Sequence, residues 1–139
     1  MPALSRWFVK AALADLALAL AAGVALALRE WLPLPAGAAG LLPVYFHLLM
    51  VGWATQLIFG VAYWMFPKAS AERPRGDERL AAFAWGALNL GLGLRVLGEP
   101  WLAQQPGSAA GGLLAASAVL QLAAGWAMVL NLWPRVKVK

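Results

Sequence analysis

The sequence predicts an all-α integral membrane protein, an antiparallel four-helix bundle forming one domain over 1–139, with both termini cytoplasmic. Three observations carry that reading. Hydrophobic residues make up 63% of the 139 positions and charged residues 12%, too little polar surface for a soluble domain of this size. Four apolar stretches, at roughly 8–28, 42–66, 80–98 and 109–132, each approach the ~20 residues that a bilayer core requires. The basic residues are distributed unevenly. Arg6, Lys10, Lys68, Arg73, Arg75, Arg79, Arg135, Lys137 and Lys139 occupy the N-terminus, the second loop and the C-terminus. The first and third loops offer only Arg29, with Arg95 just inside the third span. Basic loops stay on the cytoplasmic side, so the net charge of +5 reports topology and no nucleic-acid footprint.

The first span begins after Arg6 and Lys10 and carries Asp15. Its apolar run of about 18 residues from Ala11 is longer than the ~7–15 of a signal-peptide core, so a retained helix is expected. The segment Arg29–Gly40, with Pro33, Pro35 and repeated small residues, ends that helix on the outer side. The second span contains His47, the only histidine. Lys68–Arg79 (KASAERPRGDER) is the one hydrophilic stretch and reads as a cytoplasmic turn. Ala82, Gly86, Gly91 and Gly93 in the third span permit close helix approach where lipid supplies no hydrophobic driving force. Glu99–Ser108 reads as the second outer loop, and the fourth span follows it. Trp7, Trp31, Trp64, Trp101 and Trp133 lie near predicted helix ends, where indoles favour the headgroup region.

A titratable imidazole inside a membrane span marks a functional site. One histidine and no cysteine exclude disulfides, thiolate metal sites, iron–sulfur clusters and cages of several imidazoles. No nucleophile–base pair is present, so no enzyme acting alone is expected. A single axial bond to haem iron needs one histidine, which makes His47 the candidate metal ligand. At ~100° per residue, Ala54 and Ile58 follow His47 along one helix face, with Val51 beside it. That small aliphatic face is the candidate cofactor surface. His47 lies about five residues from the outer helix end, ~7–8 Å in at 1.5 Å per residue. Arg95 lies at nearly the same level, placed to pair with outward-facing propionates, and Arg29 is a second candidate from the loop edge. The structural alternative is a histidine that hydrogen-bonds a carbonyl or reaches the interface, with Arg95 simply pairing with Glu99. Gln56, Asn89 and Gln121 fall near mid-membrane, and one interhelical hydrogen-bonded layer would satisfy them. Asp15 would be the cytoplasmic entrance if that layer conducted protons.

The run from His47 to Pro67, with Trp53, Gly60, Tyr63 and Phe66–Pro67, resembles helix II of haem–copper oxidase subunit I. The pattern is most similar to cbb3-type oxidases and nitric-oxide reductases and covers about one seventh of the chain. The resemblance implies that His47 ligates a haem b on the outer side of an inner (cytoplasmic) membrane, within a respiratory chain. The family's catalytic subunit carries many further helices with the second haem ligand and the copper ligands. None can be placed here, so oxygen or nitric-oxide reduction is not implied. The expectation is a b-type cytochrome for electron transfer or diatomic gas binding. Its sixth ligand is a second His47 in a homo-oligomer, a partner subunit's side chain, or none, the first being favoured. The alternative is an accessory subunit of a terminal oxidase or nitric-oxide reductase without its own cofactor.

Overall fold

The computed structural model describes residues 1–31 and 33–136; Lys137 and Lys139, counted above among the basic flanks, lie outside the described residues. Four helical rods, Ala3–Leu28, Ala36–Met65, Glu78–Gln104 and Ala110–Arg135, are long and apolar enough to cross a membrane. Among the described residues there is no strand. The rods comprise α1 (Ala3–Leu28), α2 (Leu41–His47), α3 (Gln56–Met65), α4 (Glu78–Gln104) and α5 (Ala110–Leu132). A π-helical segment, Leu48–Thr55, joins α2 to α3, and short 3-10 turns at Ala36–Gly40 and Trp133–Arg135 complete the second and fourth rods.

Successive rods pack on one another, each pairing at points where a small residue removes a side chain. Along α1 and the second rod, Gly23 faces the Tyr45 ring, Gly52 faces Asp15, and Gly60 faces Phe8 and Ser5. A Cβ on Gly52 would stand 2.7 Å from the Asp15 carboxylate, and one on Gly60 2.7 Å from Phe8 Cβ. Between the second rod and α4, Gly40 meets the Glu99 carbonyl at one end, and Gln56 meets Asn89 in the middle. Gly91 and Gly98 bring α4 and α5 together against Ser117, Gln121 and Leu114. α1 rests chiefly on the second rod and α5 on α4. The large outward side chains of α1 and α5, such as Leu18, Leu20, Val24, Leu122 and Leu130, are exposed, as rods bathed in hydrocarbon require. The densest core, Phe8, Tyr63, Ala81, Ala84, Ala127 and Met128, lies toward the end that carries residues 66–77 and Arg135. That end is called the basic end below, and the end carrying residues 29–40 and 105–109 the opposite end.

Three boundaries move relative to the sequence reading. α1 begins at Ala3, directly after Pro2, so Arg6 and Lys10 are helical. The second rod runs on an early 3-10 turn from Ala36, inside the segment expected to be loop. α4 continues through Pro100 to Gln104, past its expected end at 98. A proline inside a helix forfeits one backbone bond and crowds the preceding turn. Here that turn is held by tertiary contact, since Gly40 and Gly37 lie against the carbonyls of Glu99 and Pro100. At the other end of α4, Asp77 caps the helix, accepting from the backbone N–H of Arg79 at 2.8 Å and of Leu80 at 3.3 Å, a side-chain N-cap of the usual kind. Gly76 precedes it with φ +76°, and a Cβ there would also press on the Asn131 amide at 3.1 Å.

Candidate functional site

His47 closes α2, and its orientation is fixed from within that helix. Pro43 sits in the first turn, where a missing N–H is harmless. Its carbonyl oxygen accepts from His47 Nδ1 at 2.9 Å. A carbonyl can only accept, so Nδ1 donates, and in the neutral ring Nε2 is then the atom that carries the lone pair. Among the described residues Nε2 has no hydrogen-bond partner, and it is not fully enclosed by them. The half-buried ring is therefore held through Nδ1 from within its own helix. Hydrogen bonding at the far nitrogen is how metal-binding imidazoles are oriented and made more basic.

The residues expected beside His47 have different surroundings. Val51 packs inward against Ala87, Leu88, Leu92 and Ala124. Ala54 is half-buried, and Ile58 is exposed. The cause is the π-helix directly after His47. A π turn spaces its bonds i to i+5 and adds about one residue to the turn, which offsets all later positions by about 100°. Thr55 Oγ1 donates to the Met50 carbonyl five positions back at 2.8 Å, and Gln56 Nε2 donates to the Gly52 carbonyl at 3.3 Å. These side chains supply partners for carbonyls that the widened turn displaces. The best-formed cavities lie elsewhere: within residues 72–79, between Trp7 and Tyr63, between Pro35 and Gln104, and along Trp126–Pro134. A flat ligand on His47 would lie on an open helix face.

Arg95 reaches the expected level. Gly40 crosses α4 at Glu99, and Gln56 crosses it at Asn89, so His47 falls opposite the turn around Arg95. The guanidinium is engaged by Glu99, with Nη1 donating to Oε1 at 2.7 Å. Both side chains are largely buried, and Arg95 Nε is enclosed without a partner. Arg29, directly after α1, is exposed at the same end of the molecule; no side-chain contact joins it to His47.

The polar layer forms, with a different membership from the one expected. Asn89 Nδ2 donates to Gln56 Oε1 at 2.7 Å, and Gln56 Nε2 donates to Asp15 Oδ2 at 3.2 Å. Asp15 stands at the centre of α1, away from the cytoplasmic entrance position that the sequence suggested. Gln121 belongs to a separate link, donating to Ser117 Oγ at 2.9 Å, while Ser117 donates to the Gly91 carbonyl at 2.6 Å. Both links satisfy polar side chains between helices, as a bilayer interior demands.

Sequence reasoning missed Arg135, which it counted as an exposed topology charge. It is 1% exposed. Its guanidinium donates to the carbonyls of Tyr63, Phe66, Pro67 and Arg75 at 2.8–3.4 Å and lies 5.8 Å from the Tyr63 ring centre. The available signal was its place after Trp133–Pro134, where a cation can turn back onto the carbonyls at a neighbouring helix C-terminus. No protein-family model, curated protein or solved structure matches this chain.

Proposed function

We propose that this chain is a multi-pass protein of the inner (cytoplasmic) membrane that binds haem b through His47. Its helices would form an antiparallel four-helix bundle with both termini cytoplasmic, which puts His47 in the outer leaflet. One observation carries the haem reading: the Pro43 carbonyl fixes Nδ1–H and leaves Nε2 open, the arrangement an axial imidazole requires. The residues fit the group at the ligand atom. They fit less well at the pocket, because Val51 and Ile58 point in different directions. An open face favours a haem shared with a second copy or with a subunit of a respiratory oxidase or reductase. Bound there, haem would supply one-electron transfer or diatomic gas binding. The chain's own contribution is to orient the imidazole, to exclude water with the apolar second rod, and to offer Arg95 to a propionate.

The pairing of Arg95 with Glu99 and the self-satisfied imidazole support a second reading, an accessory subunit of such a complex without a cofactor. Absorption spectroscopy of protein purified from haem-supplied cells separates the two. A Soret band with a reduced α-band, both lost in His47→Ala, supports the cytochrome. Colourless protein that fails to take up added haemin, at parity with His47→Ala, overturns it.

A further inference from the structure

Asp15 holds the centre of α1, at the depth where an ionisable group is least welcome in a bilayer. Its carboxylate is tucked against Gly52, whose missing side chain opens the notch that admits it. One oxygen, Oδ2, accepts from Gln56. The other, Oδ1, receives no hydrogen bond and is not enclosed by protein. It is therefore reachable at the edge of the α1 interface.

Among the described residues no cation answers it. Lys10 is five residues nearer the basic end, on a different face of α1 and exposed. On the elements packed against α1, the remaining ionisable groups within the rods are His47, Tyr45 and Tyr63 on the second rod and Glu78, Arg79, Arg95 and Glu99 on α4, with Glu78 and Arg79 in the first turn at the basic end. His47 and Arg95 lie toward the opposite end, and Arg95 is already paired. Tyr63 lies near the basic end, and Tyr45 packs on Gly23 nearer the opposite end. A second copy of the chain brings the same residues at the same depths, so it too offers no base at the level of Asp15.

The geometry points to a docking site for a transmembrane helix of another protein that carries Lys or Arg at mid-span and pairs with Asp15 Oδ1. Charge complementarity is the argument: a carboxylate half-shielded by Gln56 and Gly52 has one oxygen reachable and no base within its own fold. The adjoining surface of α1 suits a close partner helix, because Ala14 and Ala17 are exposed beside Leu18 and small residues let backbones approach. The site is independent of haem binding at His47.

The test uses the full chain in lipid vesicles, donor-labelled, with acceptor-labelled polyleucine transmembrane peptides bearing a central Lys or a central Leu. Energy transfer should show the Lys peptide binding about tenfold more tightly than the Leu peptide, the scale of one interhelical polar pairing. Asp15→Asn keeps an acceptor for Gln56, so the fold survives, and it should remove the preference. Equal binding of the two peptides, as a permanently protonated carboxyl would give, overturns the proposal. A preference that persists in a helical, folded Asp15→Asn protein overturns it as well.

Discussion

Arg135 and Arg95 occupy opposite ends of the same scaffold and are satisfied in opposite ways. Arg135 spends its donors on four backbone carbonyls drawn from the end of α3 and the following loop. It ties the end of the fourth rod to the second rod and to the turn that leads into α4. No carboxylate is involved, so its worth depends on geometry and little on charge balance. Arg95 has one carboxylate partner on its own helix and an enclosed Nε with none. It stands level with a histidine whose basic nitrogen is also free. The Arg135 guanidinium is thus answered by its own chain, whereas Arg95 Nε is not; the basic half keeps unpartnered buried atoms of its own in Ser5 Oγ, Trp85 Nε1 and Asn131 Oδ1. Pairing of the first kind stabilises, and an unanswered donor of the second kind is what a binding site retains at some cost in stability.

The sharpest way to break this comparison is Arg135→Ala. It strips four carbonyls of a charged donor near a buried core, and water reaching the helix end replaces only part of the loss. Unfolding in detergent micelles should show a destabilisation of about 3 kcal/mol. Arg135→Lys should recover less than half, because an ammonium cannot span the fork's several acceptors. A stability within about 0.5 kcal/mol of the parent for Arg135→Ala would mean that the clamp is dispensable.

At the opposite end the largest structural effect should come from Gly40→Ala. The new Cβ would stand 2.5 Å from the Glu99 carbonyl carbon and oxygen, rigid backbone that cannot swing away. Separation of the 3-10 turn from α4 should cost about 2 kcal/mol, within the range for overpacking. Gly93→Ala is the control, since nothing lies within 4 Å of a Cβ there. Alanine raises helix propensity, so Gly93→Ala should hold or gain stability, and an equal loss in the two variants would show that the crossing does not govern the result.

Between the ends, Gln56→Leu removes the residue that links Asp15 to Asn89. The expected loss is about 1–2 kcal/mol, since interhelical hydrogen bonds in membranes are individually modest. Denaturant titration of the variant in mixed micelles measures it. Gln121→Leu touches only the α4–α5 link and should add nearly independently, because the two networks share no partner. Strong non-additivity would show that the layers act as one.

Much of this organisation is legible in the residues. Apolar length and small-residue spacing place four rods, and the depths of Gln56 and Asn89 place a polar layer, because both follow from what a bilayer forbids. The lone histidine and the level of Arg95 are equally plain. What cannot be read is the rotation of residues after His47. The π turn at Leu48–Thr55 coincides with contacts distant in sequence, with Asp15 seated against Gly52 and Gln56 bridging to Asn89. A face drawn at constant pitch through Val51, Ala54 and Ile58 takes no account of that turn. Arg135 was hidden similarly. Its burial depends on carbonyls about 60 to 70 positions away, and composition carries no trace of them.

The smallest effect on stability and the most telling one for function should come from Arg95→Gln. The variant forfeits one intrahelical ion pair, and Gln retains a donor within reach of Glu99. Its stability should therefore fall by less than about 1 kcal/mol. If Arg95 merely neutralises Glu99, that is the whole consequence. If it also serves a propionate beside His47, haem retention during dialysis should drop several-fold while unfolding barely changes. Glu99→Gln then sets the sign. Removing the competitor leaves the guanidinium free for an anionic ligand, so retention should hold or rise in Glu99→Gln as it falls in Arg95→Gln. Parallel losses in both variants would place the pair in the scaffold with Arg135, and unchanged retention in both would remove Arg95 from the site.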